Sequence, residues 1–125
     1  MKFGAMPKMM SGMMYKAACI VVIPYPYSDA VQQQKKRPVL MLTEPDSFGD
    51  FVGLAITSRG HHPASVALNQ EDRLSGSLPK TSWIRTDKVF TLNRSLVVKT
   101  VGEVKAALFL HARQALCGKI GCTGQ

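Results

Sequence analysis

The sequence is poor in the side chains that build metal centres and disulfide frameworks. Its three cysteines, Cys19, Cys117 and Cys122, are odd in number, and no histidine stands near them at the spacing of a zinc site. Only eight residues are acidic, and most of these lie in predicted loops, which argues against a two-metal carboxylate site. A glycine motif of the kind that cradles phosphate is also absent. We therefore expect no metal, no cofactor and reduced thiols in a cytoplasmic protein, with a Cys117–Cys122 bridge as the alternative.

Long apolar runs are lacking as well. The stretch from Ala17 to Ile23 is short, follows Lys16 and is ended by Pro24, so it does not fit a signal peptide, and we expect no membrane partner. Six of the seven methionines lie among lysines and glycines near the start of the chain, a composition typical of no folded element. We expect residues 1–17 to be a disordered extension, residues 18–118 to form the domain and residues 119–125 to be a flexible tail.

Positive charge is what the chain has in excess. The formal net charge is +8 over 125 residues, and 46% of the residues are hydrophobic, which describes one folded basic domain. Such a charge favours binding to polyanions, above all nucleic acids, but it does not indicate a fold or a reaction.

Strand patterns dominate the chain between the two ends. Short apolar or alternating stretches predict five or six strands, at residues 18–25, 38–42, 51–58, 64–68, 82–90 and 96–101. Residues 69–80 read as a polar loop and residues 91–95 as a turn, while Gly102 is expected to end the last strand. Helical spacing follows over residues 103–117, with Gly118 as the expected stop. The pattern predicts a mainly β fold with a C-terminal helix (α+β), a small SH3-like barrel.

Charged and hydroxyl side chains lie where these strands begin or end. Arg37 directly precedes an unbroken apolar strand, and Thr57 ends the next strand. Arg85 and Asp87 would project from one face of a later strand, because side chains on a strand alternate. If the strand ends converge, they offer guanidinium groups, a hydroxyl group and a carboxylate, which suits a phosphodiester. RNA carries its own nucleophile, the 2′-hydroxyl, so such a set can cleave it without a metal.

Each of these residues also has a simpler interpretation. Arg37 could belong to a solvated basic turn, Thr57 is favoured in strands regardless of function, and an Arg-x-Asp pair is often a surface ion pair. Trp83 could stack on an RNA base or belong to the core. Asp87 could be a general base or could orient Arg85, whose charge favours the ionised carboxylate and so weakens it as a base.

Four short segments occur in a recognisable order. They are residues 23–29 (Ile-Pro-Tyr-Pro-Tyr-Ser-Asp), 36–42 (Lys-Arg-Pro-Val-Leu-Met-Leu), 55–58 (Ala-Ile-Thr-Ser) and 82–92 (Ser-Trp-Ile-Arg-Thr-Asp-Lys-Val-Phe-Thr-Leu). Together they resemble the PemK/MazF family of toxin endoribonucleases, over about residues 18–117. The resemblance implies an SH3-like barrel, a homodimer, metal-independent cleavage of single-stranded RNA to 2′,3′-cyclic phosphate and 5′-hydroxyl ends, and a cognate antitoxin that binds over the same groove.

The resemblance also implies roles for single residues. It makes Arg37 and Thr57 phosphate-binding and catalytic, and it makes Arg85 and Asp87 the acid and base. Apart from the resemblance, the charge, the polarity and the aromatic character of nearby positions lead us to expect RNA binding at Ser28, Asp29, Lys35, Lys36, Ser58, Trp83 and Lys88.

The chain also departs from the family pattern. Ala18 and Cys19 replace the usual glycine and acidic residue, and the loop between Asp29 and Lys36 has no histidine. His61 and His62 are expected to be ordinary loop residues.

The sequence leaves two other functions open. The related CcdB branch uses the same barrel to poison DNA gyrase, so a non-catalytic toxin is one alternative. The other is a plain RNA- or DNA-binding module. A protein-binding surface, however, has no reason to assemble Arg37, Thr57, Arg85 and Asp87.

Overall fold

The structure, a computed structural model, describes residues 15–25, 35–60, 62–76, 78 and 81–122. Its described part contains seven strands and one α-helix. The strands are β1 (Cys19–Tyr25), β2 (Lys35–Met41), β3 (Asp50–Thr57), β4 (Ser65–Leu68), β5 (Arg73–Gly76), β6 (Ser82–Asn93) and β7 (Lys99–Val104), and the helix is α1 (Ala106–Ile120). Short 3-10 helices span Gln70–Asp72 and Arg94–Leu96.

The seven strands form one strongly curved antiparallel sheet in the order β4-β6-β3-β2-β1-β7-β5. The fold is mainly β with a C-terminal helix, as the sequence predicts, and the barrel takes the form of a curled half-barrel. No helix within the described ranges is long and apolar enough to cross a membrane.

Strands β1 and β2 lie at the centre and are buried on both faces. Ile20 and Leu40 belong to the core beneath α1, together with Leu108 of the helix. Their neighbours Val21 and Val39 belong to a second cluster on the other face of the sheet. This alternation explains why both strands have continuous apolar sequences.

Several predicted boundaries are wrong, each for a local reason. Gly102 lies inside β7 and does not end it. A glycine is needed at this position because the backbone of β5 passes so close that a Cβ would lie 2.8 Å from the carbonyl oxygen of Ser75. The predicted polar loop over residues 69–80 contains β5, and the predicted turn at residues 91–95 begins only after Asn93. Gly118 lies inside α1, which ends at Gly121 in the left-handed conformation with φ 75°. The helix thus includes Lys119 and Ile120, which were expected in the tail.

The predicted N-terminal extension lies largely outside the described residues, as do the Gln-rich loop and the chain after Cys122.

Candidate active site

A shallow pocket of about 150 Å³ opens where β2, β3 and β6 come together. Three residues with predicted catalytic roles, Arg37, Thr57 and Arg85, line it. The remaining lining residues are Pro38, Val39, Ala55, Ile56, Lys88 and Phe90. Ligand sites that enclose a small molecule usually measure about 300–1,000 Å³, so this pocket suits one group of a larger ligand, such as a phosphodiester in a chain.

Arg37 and Thr57 come from adjacent antiparallel strands. Val39 of β2 pairs with Ala55 of β3, and Arg37 and Thr57 each lie two residues beyond this pair at the same end of the two strands. The Thr57 Oγ1 atom accepts a hydrogen bond of 3.1 Å from the Arg59 backbone N–H, which closes the turn after β3. A hydroxyl group has one hydrogen of its own to donate, so this capping bond leaves the Thr57 O–H able to donate to a ligand. Capping and ligand binding are therefore compatible at Thr57.

The Arg-x-Asp motif lies at a corner in β6. Leu54 of β3 pairs with Val89, but Ile56, only two residues further, pairs with Ile84. One residue of β3 thus faces the four residues Arg85, Thr86, Asp87 and Lys88 of β6. Such an irregularity bends the strand and redirects its side chains. Here it directs Arg85 and Lys88 to the pocket.

Arg85 and Asp87 form a two-point ion pair. The Arg85 Nε and Nη2 atoms each lie 2.8 Å from one carboxylate oxygen of Asp87, and both side chains are less than one-fifth exposed. The predicted alternation therefore holds in this part of β6, and the two residues share a face. The hydrogen bonds from Arg85 lower the pKa of Asp87 from 3.8 to about 2, against the opposing effect of burial. The same bonds raise the pKa of Arg85 above its ordinary value.

His62 is the residue near this ion pair that sequence reasoning missed. Its Nε2 atom lies 3.7 Å from Oδ2 of Asp87, and its side chain is 40% exposed. No local pattern links His62 to a strand more than twenty residues later, so the contact emerges only from the pairing of β4 with β6.

Trp83 lies on the same side of β6 as Arg85 and is half-buried. It belongs to neither core cluster. Gly60 packs against its six-membered ring so closely that a Cβ there would lie 2.4 Å from Cε2. The core interpretation of Trp83 is therefore wrong, and base stacking stays a prediction.

The other predicted RNA-binding residues fall into three groups. Lys88 lines the pocket, whereas Lys36 and Ser58 are exposed at the ends of the strands beside it. Lys35 is described only by its backbone, which pairs with Tyr25. Ser28 and Asp29 lie outside the described residues. Phe90 lines the pocket although nothing in the sequence singles it out.

Metal-binding side chains are sparse in the described ranges. No group of three or more His, Cys, Asp and Glu side chains there is arranged to hold a metal ion. Cys19, Cys117 and Cys122 are free thiols.

Comparison with protein-family models matches residues 16–119 to the family described as PemK-like, MazF-like toxin of type II toxin-antitoxin system. No curated protein matches the chain. Among solved structures, the MazE-MazF complex (Form-III) of Deinococcus radiodurans is similar, with a TM-score of 0.72 at 20% identity over 88% of this chain and 99% of that one. A mycobacterial endoribonuclease in complex with its cognate antitoxin has a TM-score of 0.68, also at 20% identity, over 89% and 99% of the two chains. A further mycobacterial endoribonuclease has a TM-score of 0.67 at 20% identity, over 94% and 100%.

Proposed function

Because the chain belongs to the PemK-like, MazF-like toxins of type II toxin-antitoxin systems, we propose that it is a metal-independent endoribonuclease that cleaves single-stranded RNA at preferred short sequences. One observation carries the proposal. Arg37, Thr57 and Arg85, which the sequence separates by up to 48 positions, line a single pocket on a basic protein. The similar mycobacterial structures are endoribonucleases, which supports the same reaction class.

The proposed reaction uses the substrate's own nucleophile. The 2′-hydroxyl oxygen attacks the adjacent phosphorus and loses its proton, the bond from phosphorus to the 5′-oxygen breaks, and that oxygen gains a proton. The products are a 2′,3′-cyclic phosphate and a 5′-hydroxyl end. Negative charge grows on the non-bridging oxygens during the attack, so donors fixed around the phosphate lower the barrier.

Arg37 and Arg85 are the proposed donors to those oxygens, with Thr57 as a third. Guanidinium groups suit this task because they present several N–H donors in a planar fork. Arg85 uses Nε and Nη2 to hold Asp87, which leaves both hydrogens of Nη1 and one of Nη2 for a phosphate.

Asp87 is proposed to orient Arg85 rather than to act as the general base. A carboxylate with a pKa of about 2 is ionised at neutral pH but is poorly matched to accepting a proton from a hydroxyl group. Both of its oxygens are also engaged by Arg85.

RNA outside the cleaved bond is proposed to contact the surrounding basic and polar residues. Lys88 and Lys36 would bind backbone phosphates, Trp83 would stack on a base, and Ser58 would add a polar contact. Lys35, Ser28 and Asp29 complete the proposed surface.

The proposed partners follow the family. The similar complexes contain MazE or a cognate antitoxin, and we propose that an antitoxin covers this pocket and that the toxin is a cytoplasmic homodimer which inhibits translation and growth when free. Light scattering of the purified chain would give the mass of the dimer.

The test is RNA cleavage in excess EDTA. The wild-type protein should cut a long single-stranded RNA at a few recurrent short sites and leave cyclic phosphate ends. Arg37→Ala should reduce the rate at least 100-fold, by order of magnitude, because the phosphate loses a charged donor. Arg113→Ala, which removes the same charge from the outer side of α1, should cleave normally.

Intact RNA from a folded, antitoxin-free wild-type preparation, tried over diverse sequences, would refute the proposal. Equal cleavage by Arg37→Ala would refute the assigned pocket.

A further inference from the structure

The loop between β3 and β4 places one imidazole behind the candidate active site. Residues 62–64 lie against the corner of β6, where the Thr86 N–H donates to the Ala64 carbonyl oxygen over 3.0 Å. The residue that follows the loop, Ser65, begins β4 and pairs with Arg85. The position of His62 is therefore tied to the strand that carries Arg85 and Asp87.

Two further hydrogen bonds fix His62 within this loop. Its Nδ1 atom accepts a bond of 2.9 Å from the Ala64 backbone N–H, and its carbonyl oxygen accepts one of 2.6 Å from the Ser65 hydroxyl group. An imidazole nitrogen that accepts an N–H bond carries no proton, so the proton of the neutral ring lies on Nε2. That is the nitrogen that lies 3.7 Å from Oδ2 of Asp87.

These contacts place Arg85, Asp87 and His62 in a row that leads away from the pocket. Arg85 lines the pocket, whereas Asp87 and His62 do not. Asp87 holds Arg85 from behind by two bonds of 2.8 Å, and the Nε2–H group of His62 faces Asp87 in turn. A separation of 3.7 Å is longer than an ordinary hydrogen bond, but contacts of this kind often shorten when the substrate binds.

We propose that His62 is a positioning residue of the pocket. Its Nε2–H group holds the Asp87 carboxylate in place and through it fixes the guanidinium group of Arg85 against the scissile phosphate. This inference rests on the proposed ribonuclease function. In this role His62 donates a hydrogen bond through Nε2–H and does not act as a base, because its Nδ1 atom already accepts a hydrogen bond from the Ala64 N–H.

Asparagine and glutamine at position 62 can distinguish the proposed contact with Asp87 from the local hydrogen bond with Ala64. In His62→Asn, the amide oxygen can replace Nδ1 as the acceptor for the Ala64 N–H and so keep the turn, but no donor reaches Asp87. In His62→Gln, the amide N–H₂ stands near the position of Nε2 and restores a donor towards Asp87. His62→Ala removes both groups, and His111→Ala, an exposed position on α1, is the matched control.

The experiment measures kcat, KM and melting temperature for the four variants with a short RNA substrate. His62→Asn should keep a near-normal melting temperature and KM but lose roughly 10- to 100-fold in kcat, the effect expected from a slightly misplaced catalytic group. His62→Gln should recover a clear part of that loss relative to His62→Ala. His111→Ala should resemble the wild type.

A second readout does not depend on activity. Nitrogen NMR of labelled histidine should show the His62 ring protonated on Nε2, and Asp87→Asn should shift this Nε2 resonance.

Three results would overturn the proposal. They are wild-type kcat in His62→Asn, no advantage of His62→Gln over His62→Ala, or a ring protonated on Nδ1. Failure of the proposed function looks different, because the wild type itself would then leave RNA intact, and the positioning role would fall with it.

Discussion

The pairing of Arg85 with Asp87 has opposite consequences for the two residues. The carboxylate becomes a weaker base, whereas the guanidinium group becomes more rigid and keeps its outer N–H groups for a ligand. Loss of either residue should therefore reduce activity, but for different reasons. An enzyme that depends on Arg85 being held in one orientation should be sensitive even to a neutral replacement of Asp87.

Asp87→Asn should lose most of its cleavage activity without a shift in the acidic limb of the pH–rate profile. The reason is that a group with a pKa of about 2 does not titrate in the range where RNA cleavage is measured. The measurement is kcat/KM from pH 5 upwards for the variant and the wild type. Near-normal activity in the variant would contradict both an orienting and a basic role for Asp87.

The same residue should also make stability depend on pH. Because the folded-state pKa of Asp87 is lowered from 3.8 to about 2, its stabilisation is fully present above the unfolded value and is lost as the pH falls through the folded value. The difference in unfolding free energy between the wild type and Asp87→Asn should therefore shrink by about 1–2 kcal/mol between about pH 5 and pH 2. Urea unfolding at several pH values measures it, and a constant difference would contradict the assignment.

At the scale of elements, two glycines should respond in opposite directions to the same substitution. Gly60 lies against the ring of Trp83, where a Cβ would be 2.4 Å from Cε2, so Gly60→Ala should destabilise the protein by about 1–3 kcal/mol. Gly118 lies inside α1 with no atom within 4 Å of an added Cβ, so Gly118→Ala should stabilise it by about 0.5–1 kcal/mol.

Urea unfolding measures both changes in stability. Because Trp83 is the only tryptophan, its fluorescence should shift in Gly60→Ala and not in Gly118→Ala. A Gly60→Ala protein with wild-type stability and emission would contradict the close contact.

The elements that sequence reasoning found are those whose local pattern matches their burial. Val39 and Leu40 are consecutive and both apolar because each face of β2 meets a core, and this identifies the strand without the structure. Strand β5 was missed because its four residues, Arg-Leu-Ser-Gly, include polar and exposed positions and form a strand only by pairing with β7. The same reason applies to Gly102, whose lack of a side chain leaves room for the backbone of β5.

The residues of the candidate site could likewise be predicted only where a local sequence pattern indicates their position. Thr57 could be predicted because it ends β3, and Arg37 because it adjoins an apolar run, although β2 already begins at Lys35 and so contains Arg37. Arg85 and Asp87 could be predicted because their spacing matches one face of a strand. His62 and Phe90 could not, because their places depend on the corner in β6 and on which strands are neighbours. Sequence periodicity reports on burial within an element but not on distances between elements.

At the scale of the whole molecule, the net charge of +8 should make RNA binding strongly dependent on salt. Lys88 lines the pocket, so Lys88→Ala should weaken binding and reduce the slope of log K against log salt by roughly 1. Lys119→Ala, in the last turn of α1, should leave the slope unchanged. The measurement uses an RNA that lacks the 2′-hydroxyl at the cleavage site, and equal slopes for the two variants would contradict a phosphate contact at Lys88.

The two edges of the sheet, β4 and β5, are strands of only four residues each. Roughly half of the backbone groups of an edge strand point outward, so each edge offers few sites where a foreign strand could be added. A basic chain built mainly of β-strands is otherwise exposed to stacking into fibrils when it accumulates. These short edges oppose such growth, so the free protein should not form fibrils as its concentration rises.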